Sequence, residues 1–188
     1  MDIPCEAFDS PQGKFTIQGD IMLGQGASSQ VHLATAKSSG VQYAVKIITK
    51  LRLTERGRSN LARELSIHAR LSELESTTIC NMCSVEDNNY HYFVFLEYLP
   101  GGDLVSYIEK KGRLPEEEAA YIFRKVSESI AFIHSNGIVH RDIKAENFLL
   151  SFNEDGDVDM VKLTDFGLAA SLTDEKVFST PCGSPCYT

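Results

Sequence analysis

The 188-residue sequence lacks features that would place it in several classes of protein. It has no run of about 18 apolar residues, the length that a membrane-spanning helix requires. Its first residues, MDIPCEAFDSPQGK, include acidic side chains where a signal peptide needs an apolar segment. We therefore expect a cytoplasmic protein, with the nucleus as an alternative location.

An excess of basic residues is also missing. The chain has 18 Lys and Arg against 26 Asp and Glu, which gives a formal net charge of −8. Nucleic-acid binding depends on clustered Lys and Arg, so this balance argues against nucleic acid as the main partner. An acidic protein is better suited to a basic ligand or peptide.

Signs of a disulfide framework or a structural metal site are weak. The five cysteines are irregularly spaced, which is typical of reduced thiols. Cys80 and Cys83 have CxxC spacing, but no second pair follows at zinc-finger spacing. The segment NEDGDVD lacks the glycine and the distal glutamate that a calcium loop needs at fixed offsets. We expect neither a structural metal nor a redox function from these segments.

Strand patterns dominate the first half of the chain. FTIQGDIML, SQVHLATA and VQYAVKII are separated by the turn segments GQGASS and KSSG, which predicts three consecutive antiparallel strands. LTERGRSNLARELSIHARLSEL has apolar residues at helical spacing, and TICNMCSVED and YHYFVFLEYL indicate two more strands. The prediction is a five-stranded antiparallel sheet with one helix.

The second half has helical character. LVSYIEKKG precedes PEEEAAYIFRKVSESIAFIHSNG, whose proline and three glutamates favour a helix start and whose Asn136-Gly137 pair favours a stop. An apolar stripe that includes Ile122, Phe123 and Ile133 predicts its buried face. The predicted organisation is α+β: a flexible leader over residues 1–14, a strand-rich lobe over residues 15–99 and a helical lobe over residues 100–188.

Two features of the strand-rich half have a chemical interpretation. The turn LGQGASSQV joins two strands, whereas a dinucleotide-binding glycine turn opens a helix, so this placement favours a flap over a triphosphate. Its glycines are equally compatible with a simple hairpin. Lys46 lies on an otherwise apolar strand and would need a partner if buried, and Glu64 on the following helix is the candidate. The alternative is a lysine that snorkels from a strand edge.

Two later motifs supply the groups that phosphoryl transfer requires. HRDIKAEN covers residues 140–147 and LTDFGLA covers residues 163–169. The reaction needs a carboxylate to orient the attacking hydroxyl and oxygen ligands for Mg²⁺. Asp142, Asn147 and Asp165 provide these groups.

With the glycine turn, YAVK, a helix glutamate, HRDIKAEN and DFG in this order, the chain resembles the eukaryotic protein kinase family from about Phe15 to its last residue. Lys144 resembles the lysine of the serine/threonine type. The closing stretch STPCGSPCYT resembles the end of an activation segment just before its Ala-Pro-Glu motif. Its sequence is most similar to the calcium/calmodulin-kinase-like and AMP-activated-kinase-like branch. The resemblance implies a two-lobed fold with an incomplete C-lobe, ATP and Mg²⁺ as cofactors, and phosphorylation of serine or threonine in proteins.

The resemblance also implies a role for each motif residue. Lys46, held by Glu64, would contact the α- and β-phosphates, and Asp142 would accept or orient the substrate hydroxyl. Lys144 would neutralise the transferred phosphate, and Asn147 and Asp165 would hold Mg²⁺. The nucleotide-binding residues that it implies are Leu23, Gly24, Gln25, Gly26, Ala27, Ser28, Ser29, Val31, Ala44, Lys46, Glu97, Leu99, Asp103 and Leu149.

Further implied roles concern regulation and substrate choice. Thr180 falls at the position that an upstream activating kinase would phosphorylate, and Ser184 at the position that helps to hold Asp142. Asp103 and Glu146 could receive arginines upstream of the target residue. The alternative is that Asp103 holds only the ribose and that Glu146 is merely solvated.

Two other function classes stay open on the sequence alone. The incomplete helical lobe favours a fragment that lacks full activity by itself, or a non-catalytic nucleotide-binding or scaffold fragment. A small-molecule phosphotransferase of related fold is disfavoured, because such enzymes lack the pairing of HRDIKAEN with an activation segment.

Overall fold

A computed structural model describes residues 6–26, 29–173 and 182–184, which fall into two compact units. The strand-rich unit comprises Met1–Ser59 and Met82–Tyr98, and the helical unit comprises Asn60–Asn81 and Leu99–Thr188. The mixed α+β class predicted from the sequence is confirmed.

The strand-rich unit is built on one six-stranded sheet in which each neighbouring pair of strands is antiparallel. The strand order is β1-β2-β3-β4-β6-β5, so β1 and β5 are the edge strands. The strands are β1 (Ala7–Asp9), β2 (Phe15–Gln25), β3 (Ser29–Ala36), β4 (Gln42–Thr49), β5 (Met82–Asp87) and β6 (His91–Glu97).

The sixth strand comes from the segment predicted to be a flexible leader. Residues 7–9 form β1 and pair with β2, with Phe8 opposite Ile17. Phe8 packs against the buried core of the sheet, and Lys37 forms an ion pair of 2.6 Å with Asp9. The apolar contact of Phe8 and the backbone pairing explain why this segment is ordered. Residues 1–5 lie outside the described residues.

Aromatic packing forms the centre of the strand-rich core. The rings of Phe15 and Phe95 stack with their centroids 3.9 Å apart, and Tyr43 meets Phe15 edge-on at 5.4 Å. Val45 and Ile47 alternate inward along β4. The register of β2 shifts on both sides of Met22, which bulges the strand just before the glycine turn.

The helical unit contains the remaining helices and two small strand pairs. The helix α1 begins in the strand-rich unit and continues into the helical unit. Strand β7 pairs with β10, and β8 pairs with β9. The elements are α1 (Glu55–Ser72), α2 (Leu104–Lys111), α3 (Glu116–Ser135), β7 (Ile138–Val139), β8 (Phe148–Phe152), β9 (Val158–Leu163) and β10 (Ala170–Ser171).

Residues 60–81 were predicted to lie in the strand-rich lobe, but their contacts group them with the helical unit. The backbone N–H of Cys80 donates to the Leu163 carbonyl at 2.9 Å, and the Leu163 N–H donates to the Thr78 carbonyl at 3.0 Å. The hydroxyl of Ser129 on α3 also donates to the Thr78 carbonyl, at 2.9 Å. Residues 78–80 therefore run as an extra extended segment beside β9.

The third helix follows its sequence signals closely. It begins after Pro115 with three glutamates in its first turn and ends at Ser135, with Asn136 as its C-cap before the left-handed Gly137. Its stripe is only partly covered, since Ile122 is buried whereas Phe123 is 72% exposed. Within the described residues, no helix has both the length and the apolar character needed to pass through a bilayer.

Candidate active site

The catalytic candidates of the helical unit lie on the loop between β7 and β8. Arg141 adopts a left-handed backbone conformation, with φ of 66°, and its Nε donates to the Leu168 carbonyl at 2.7 Å. A short 3-10 turn at Ala145–Asn147 follows. The loop is thus tied to the segment that contains Asp165, so the two predicted motifs lie side by side.

Asp142 is the centre of a hydrogen-bond network. Its Oδ1 accepts the backbone N–H of Ser184 at 2.9 Å and the Ser184 hydroxyl at 2.8 Å. Nζ of Lys144 lies 3.2 Å from Oδ2 of Asp142 and donates to the Ser184 hydroxyl oxygen at 2.8 Å. The structure therefore brings together Asp142, Lys144 and Ser184, which the sequence assigned to one function.

The protonation state of Asp142 follows from these contacts. Burial alone would raise the pKa of Asp142, but hydrogen bonds from Ser184 and Lys144, with the charge of Lys144, outweigh burial and lower the pKa below its usual value. Asp142 is therefore a carboxylate at neutral pH, the form that can accept a hydrogen bond from an attacking hydroxyl.

Asn147 is oriented by the same aspartate. Its Nδ2 donates to the Asp142 backbone carbonyl at 2.8 Å and lies 3.3 Å from the Asp142 Oδ2. The side chain is almost fully buried. Because the amide nitrogen is used in this way, Oδ1 is the atom left to face a cation.

The carboxylates of Asp165 and Glu64 both lie close to Gly167. Asp165 has a left-handed backbone, with φ of 61°. A Cβ placed on Gly167 would lie 3.3 Å from Oδ1 of Asp165 and 3.5 Å from Oε2 of Glu64. The absence of a side chain at Gly167 lets the two carboxylates approach the same backbone position. Glu64 of α1 and Asp165 are thus neighbours within the helical unit.

The sequence reasoning gave no role to His140, although it lies within HRDIKAEN. Its Nε2 donates to the Thr164 carbonyl at 3.0 Å, and its ring meets Phe166 edge-on at 5.3 Å. The ring of Phe166 also meets that of His68, with centroids 4.7 Å apart, and Nε2 of His68 donates to the Cys80 carbonyl at 2.7 Å. Phe166, the residue after Asp165, therefore contacts two hydrogen-bonded imidazoles.

The register of β2, β3 and β4 determines which of the predicted phosphate- and adenine-binding residues lie opposite one another. Val31 lies directly opposite Lys46, and Gly24 lies opposite Val31. Ala44 is two residues from Lys46 on the same strand, so Val31, Ala44 and Lys46 share one face of the sheet. Glu97 ends β6 opposite Tyr43.

Asp103 lies at a bridge position opposite Leu149 and caps α2. Its Oδ1 accepts the Ser106 N–H at 2.9 Å, and its Oδ2 accepts the Ser106 hydroxyl at 2.7 Å. The sequence reasoning did not foresee this capping role, although an Asp directly before a helix start is its usual signal. Glu146, two residues after Lys144, is exposed.

Some predicted sites are not tested by this geometry. Lys46 belongs to the strand-rich unit and Glu64 to the helical unit, so their pairing stays a prediction. Ala27, Ser28 and Thr180 lie outside the described residues.

Comparison with known proteins decides the family. The protein kinase domain matches residues 18–188. The chain belongs to the protein kinase family. It is 38% identical over 165 residues to the serine/threonine-protein kinase ATG1a of Arabidopsis thaliana, covering 88% of this chain and 26% of that protein.

Two Caenorhabditis elegans kinases are also similar to this chain. Calcium/calmodulin-dependent protein kinase type 1 is 38% identical over 167 residues, covering 88% of this chain and 46% of the relative. Calcium/calmodulin-dependent protein kinase type II is 36% identical over 176 residues, covering 93% and 24%. The family predicted from the motifs is confirmed, and this kinase chain spans less than half the length of each of these relatives.

Proposed function

We propose that the chain is the catalytic segment of a protein kinase that transfers the γ-phosphoryl group of ATP to serine or threonine in proteins. The observation that carries this proposal is the Asp142 carboxylate, which Ser184, Lys144 and Asn147 hold from three sides. These contacts fix the carboxylate in place before the reaction begins. Such positioning, together with electrostatic stabilisation, provides most of the rate enhancement in phosphoryl transfer.

The chain's own residues have distinct parts in this reaction. Asp142 accepts a hydrogen bond from the substrate hydroxyl, orients its oxygen toward the γ-phosphorus and takes its proton. Lys144, already 3.2 Å from Asp142, places a positive charge beside the oxygens of the moving phosphoryl group. The Oγ–P bond forms as the bond between the γ-phosphorus and the β–γ bridging oxygen breaks, and ADP leaves.

The donor set fits Mg²⁺ and ATP. Asn147 Oδ1 and the Asp165 carboxylate are hard oxygen ligands, and Mg²⁺ in such sites completes its shell with phosphate and water. When bound, Mg²⁺ neutralises charge on the phosphates. In the strand-rich unit, the glycine turn and Lys46 would bind the phosphates, and the shared face of Val31 and Ala44 would contact adenine.

The substrates would be proteins, with arginine upstream of the target residue. Glu146 is exposed, and both oxygens of Asp103 accept hydrogen bonds from Ser106 while keeping further lone pairs. Both carboxylates are candidates for the arginine, and Asp103 could also contact ribose. Phosphorylation of Thr180 by an upstream kinase would activate the enzyme, which we place in the cytoplasm or nucleus.

The alternative is reduced activity of the chain by itself, or a scaffold role that binds nucleotide without transfer. A chain that binds ATP without transferring phosphate would fit this alternative.

The test compares acceptors with [γ-³²P]ATP and Mg²⁺, in both the 188-residue chain and the longest natural form of the protein that contains it. We expect label on serine- and threonine-containing peptides and none on the matching tyrosine peptide or a small sugar alcohol. Binding of a fluorescent ATP analogue without transfer in either form would instead establish the scaffold function.

A further inference from the structure

A short basic segment stands out in this acidic chain. Residues 50–59, KLRLTERGRS, contain Lys50, Arg52, Arg56 and Arg58 with Glu55 as the one carboxylate, whereas the whole chain has a net charge of −8. All ten residues belong to the strand-rich unit. None of the four basic residues has a part in the phosphoryl-transfer chemistry described above.

The backbone of this segment is held in place by hydrogen bonds. The Lys50 N–H donates to the Tyr90 carbonyl at 2.8 Å, and the Leu53 N–H donates to the Lys50 carbonyl at 3.2 Å. The Gly57 N–H donates to the Thr54 hydroxyl at 3.1 Å, which caps the start of α1. A partner would therefore meet a preformed surface and lose little free energy in ordering it.

The charges of the segment are not equally available. Lys50 is committed, since its Nζ lies 2.5 Å from Oδ2 of Asp87 and 4.4 Å from the ring centre of Tyr92. Arg52, Arg56 and Arg58 are exposed, and the structure gives them no ion pair with any carboxylate among the described residues. Three guanidinium groups are thus presented to solvent.

An apolar side chain lies among these arginines. Leu51 is 90% exposed, the highest exposure of any large apolar residue in the described part of the chain. It directly precedes Arg52, and a hydrogen-bonded backbone fixes its position. We call Leu51, Arg52, Arg56 and Arg58 the basic patch.

We propose that the basic patch is a docking surface for an acidic peptide segment of a partner protein, in which several Asp or Glu residues flank an apolar residue. Guanidinium groups bind carboxylates in paired, bidentate hydrogen bonds, and an apolar residue of the partner would cover Leu51. The acidic remainder of the chain repels such a peptide, which confines it to the patch.

The arginines are spread around the start of α1. Arg56 and Arg58 stand two residues apart on the helix, so they point to different sides of its first turn. An extended peptide would have to wrap around this turn to contact both, and Leu51 and Arg52 precede the turn in the chain. A membrane surface fits less well, because polybasic membrane binding uses clusters of about four to eight Lys or Arg.

The test measures binding of a fluorescein-labelled peptide, GDEDLDEDG, to the 188-residue chain by fluorescence anisotropy. We expect saturable binding that weakens as salt is raised. The variant Arg52→Glu/Arg56→Glu/Arg58→Glu should bind at least about tenfold more weakly, because the glutamates repel the acidic peptide. A tenfold change corresponds to roughly 1.4 kcal/mol of binding free energy. Leu51→Ser should weaken binding of this peptide but not of GDEDSDEDG.

A charge-matched control separates the patch from general electrostatics. Lys110, Arg113 and Arg124 are exposed on the helical unit, so Lys110→Glu/Arg113→Glu/Arg124→Glu makes the same change in net charge elsewhere. This control should keep its affinity, and both variants should unfold at temperatures close to that of the parent chain. Equal weakening in both triple variants, no binding of the acidic peptide, or binding only to phosphatidylserine vesicles would overturn the proposal.

Discussion

Ser184 donates its hydroxyl to Oδ1 of Asp142 at 2.8 Å, and its backbone N–H reaches the same oxygen at 2.9 Å. The two residues are 42 positions apart in the chain. Ser184 therefore helps to position the carboxylate of Asp142. A substitution at Ser184 should change the position and the pKa of the Asp142 carboxyl more than it changes the stability of the fold.

Replacing Ser184 by alanine removes one of the two hydrogen bonds to Oδ1 and keeps the other. Hydrogen bonds to charged groups contribute about 1.5–3 kcal/mol, so we expect kcat to fall by roughly 10- to 100-fold. Because the lost bond stabilised the ionised form, the pKa of Asp142 should rise and the acid limb of the pH–rate profile should move to higher pH. Steady-state kinetics across pH measure both effects.

Threonine is the matched control at this position, since Ser184→Thr restores the hydroxyl. The account requires Ser184→Thr to recover most of the activity and the original acid limb. Equal losses in the alanine and threonine variants would mean that Ser184 has only a packing role.

Gly101 is predicted to be intolerant of any side chain. A Cβ there would lie 2.5 Å from the Leu150 carbonyl oxygen and 2.8 Å from the ring of Phe152. We expect Gly101→Ala to destabilise the helical unit by about 1–3 kcal/mol, because the two backbone segments must move apart. Denaturant unfolding of the chain measures this change.

Gly57→Ala is the comparison for Gly101→Ala. Gly57 lies inside α1, and a Cβ there meets its nearest atom, the Thr54 hydroxyl oxygen, at 3.4 Å. Alanine is the better helix former by about 1 kcal/mol, so this variant should be unchanged or more stable. If both glycines respond in the same way, the close approach at Gly101 does not determine stability.

Burial lowers the pKa of His140 despite opposing contributions from Thr164, Asp165 and Asp142. The unfolded chain, with an ordinary histidine pKa near about 6.5, therefore binds more protons than the folded chain once the pH falls below that value. The stabilising contribution of neutral His140 is fully present above that pH and is lost as the pH falls through the folded pKa.

The variant His140→Phe removes this titration. We expect its free energy of unfolding to fall less than that of the parent chain when the pH is lowered from about 7.5 to about 5.5, on either side of the ordinary histidine pKa. Urea unfolding at the two pH values gives the comparison. Identical pH dependence in the two proteins would show that the other histidines carry the effect.

Two neighbouring residues of α3 should respond in opposite ways to the same change. Phe123 is 72% exposed and Ile122 is 4% exposed. Phe123→Gln should reduce aggregation of the 188-residue chain and leave its unfolding free energy nearly unchanged. Ile122→Gln should destabilise it by about 2–5 kcal/mol, because it buries an amide in the core. Light scattering and denaturant unfolding test the pair.

The sequence predicts those parts of the fold that depend on local signals. The start and end of α3 follow from Pro115, its three glutamates and Gly137. The strand β1 escaped prediction because Ala7–Asp9 is too short to show a period of two, and its order comes from Phe8 packing on distant strands. The structure of such short segments depends on tertiary contacts, which the local sequence pattern does not reveal.

The candidate site likewise has some parts that the sequence predicts and others that depend on tertiary contacts. Asp142, Asn147 and Asp165 are recognisable because their spacing in two motifs resembles that of a known family. The rings of Phe166, His68 and His140 come from three separate parts of the chain, so periodicity alone does not predict their contacts. Residues 60–81 joined the helical unit for the same reason, through hydrogen bonds to β9.

The central claim is that Asp142 carries phosphoryl transfer, and the most direct measurement is the rate of ³²P transfer from ATP to a serine peptide by the Asp142→Asn variant. The control is Asp155→Asn, the same change on the exposed β8–β9 hairpin. Both are assayed in the longest natural form of the protein that contains this chain. The account predicts a loss on the order of 10²- to 10⁴-fold for Asp142→Asn and none for Asp155→Asn. A rate for Asp142→Asn close to that of the parent enzyme would contradict it.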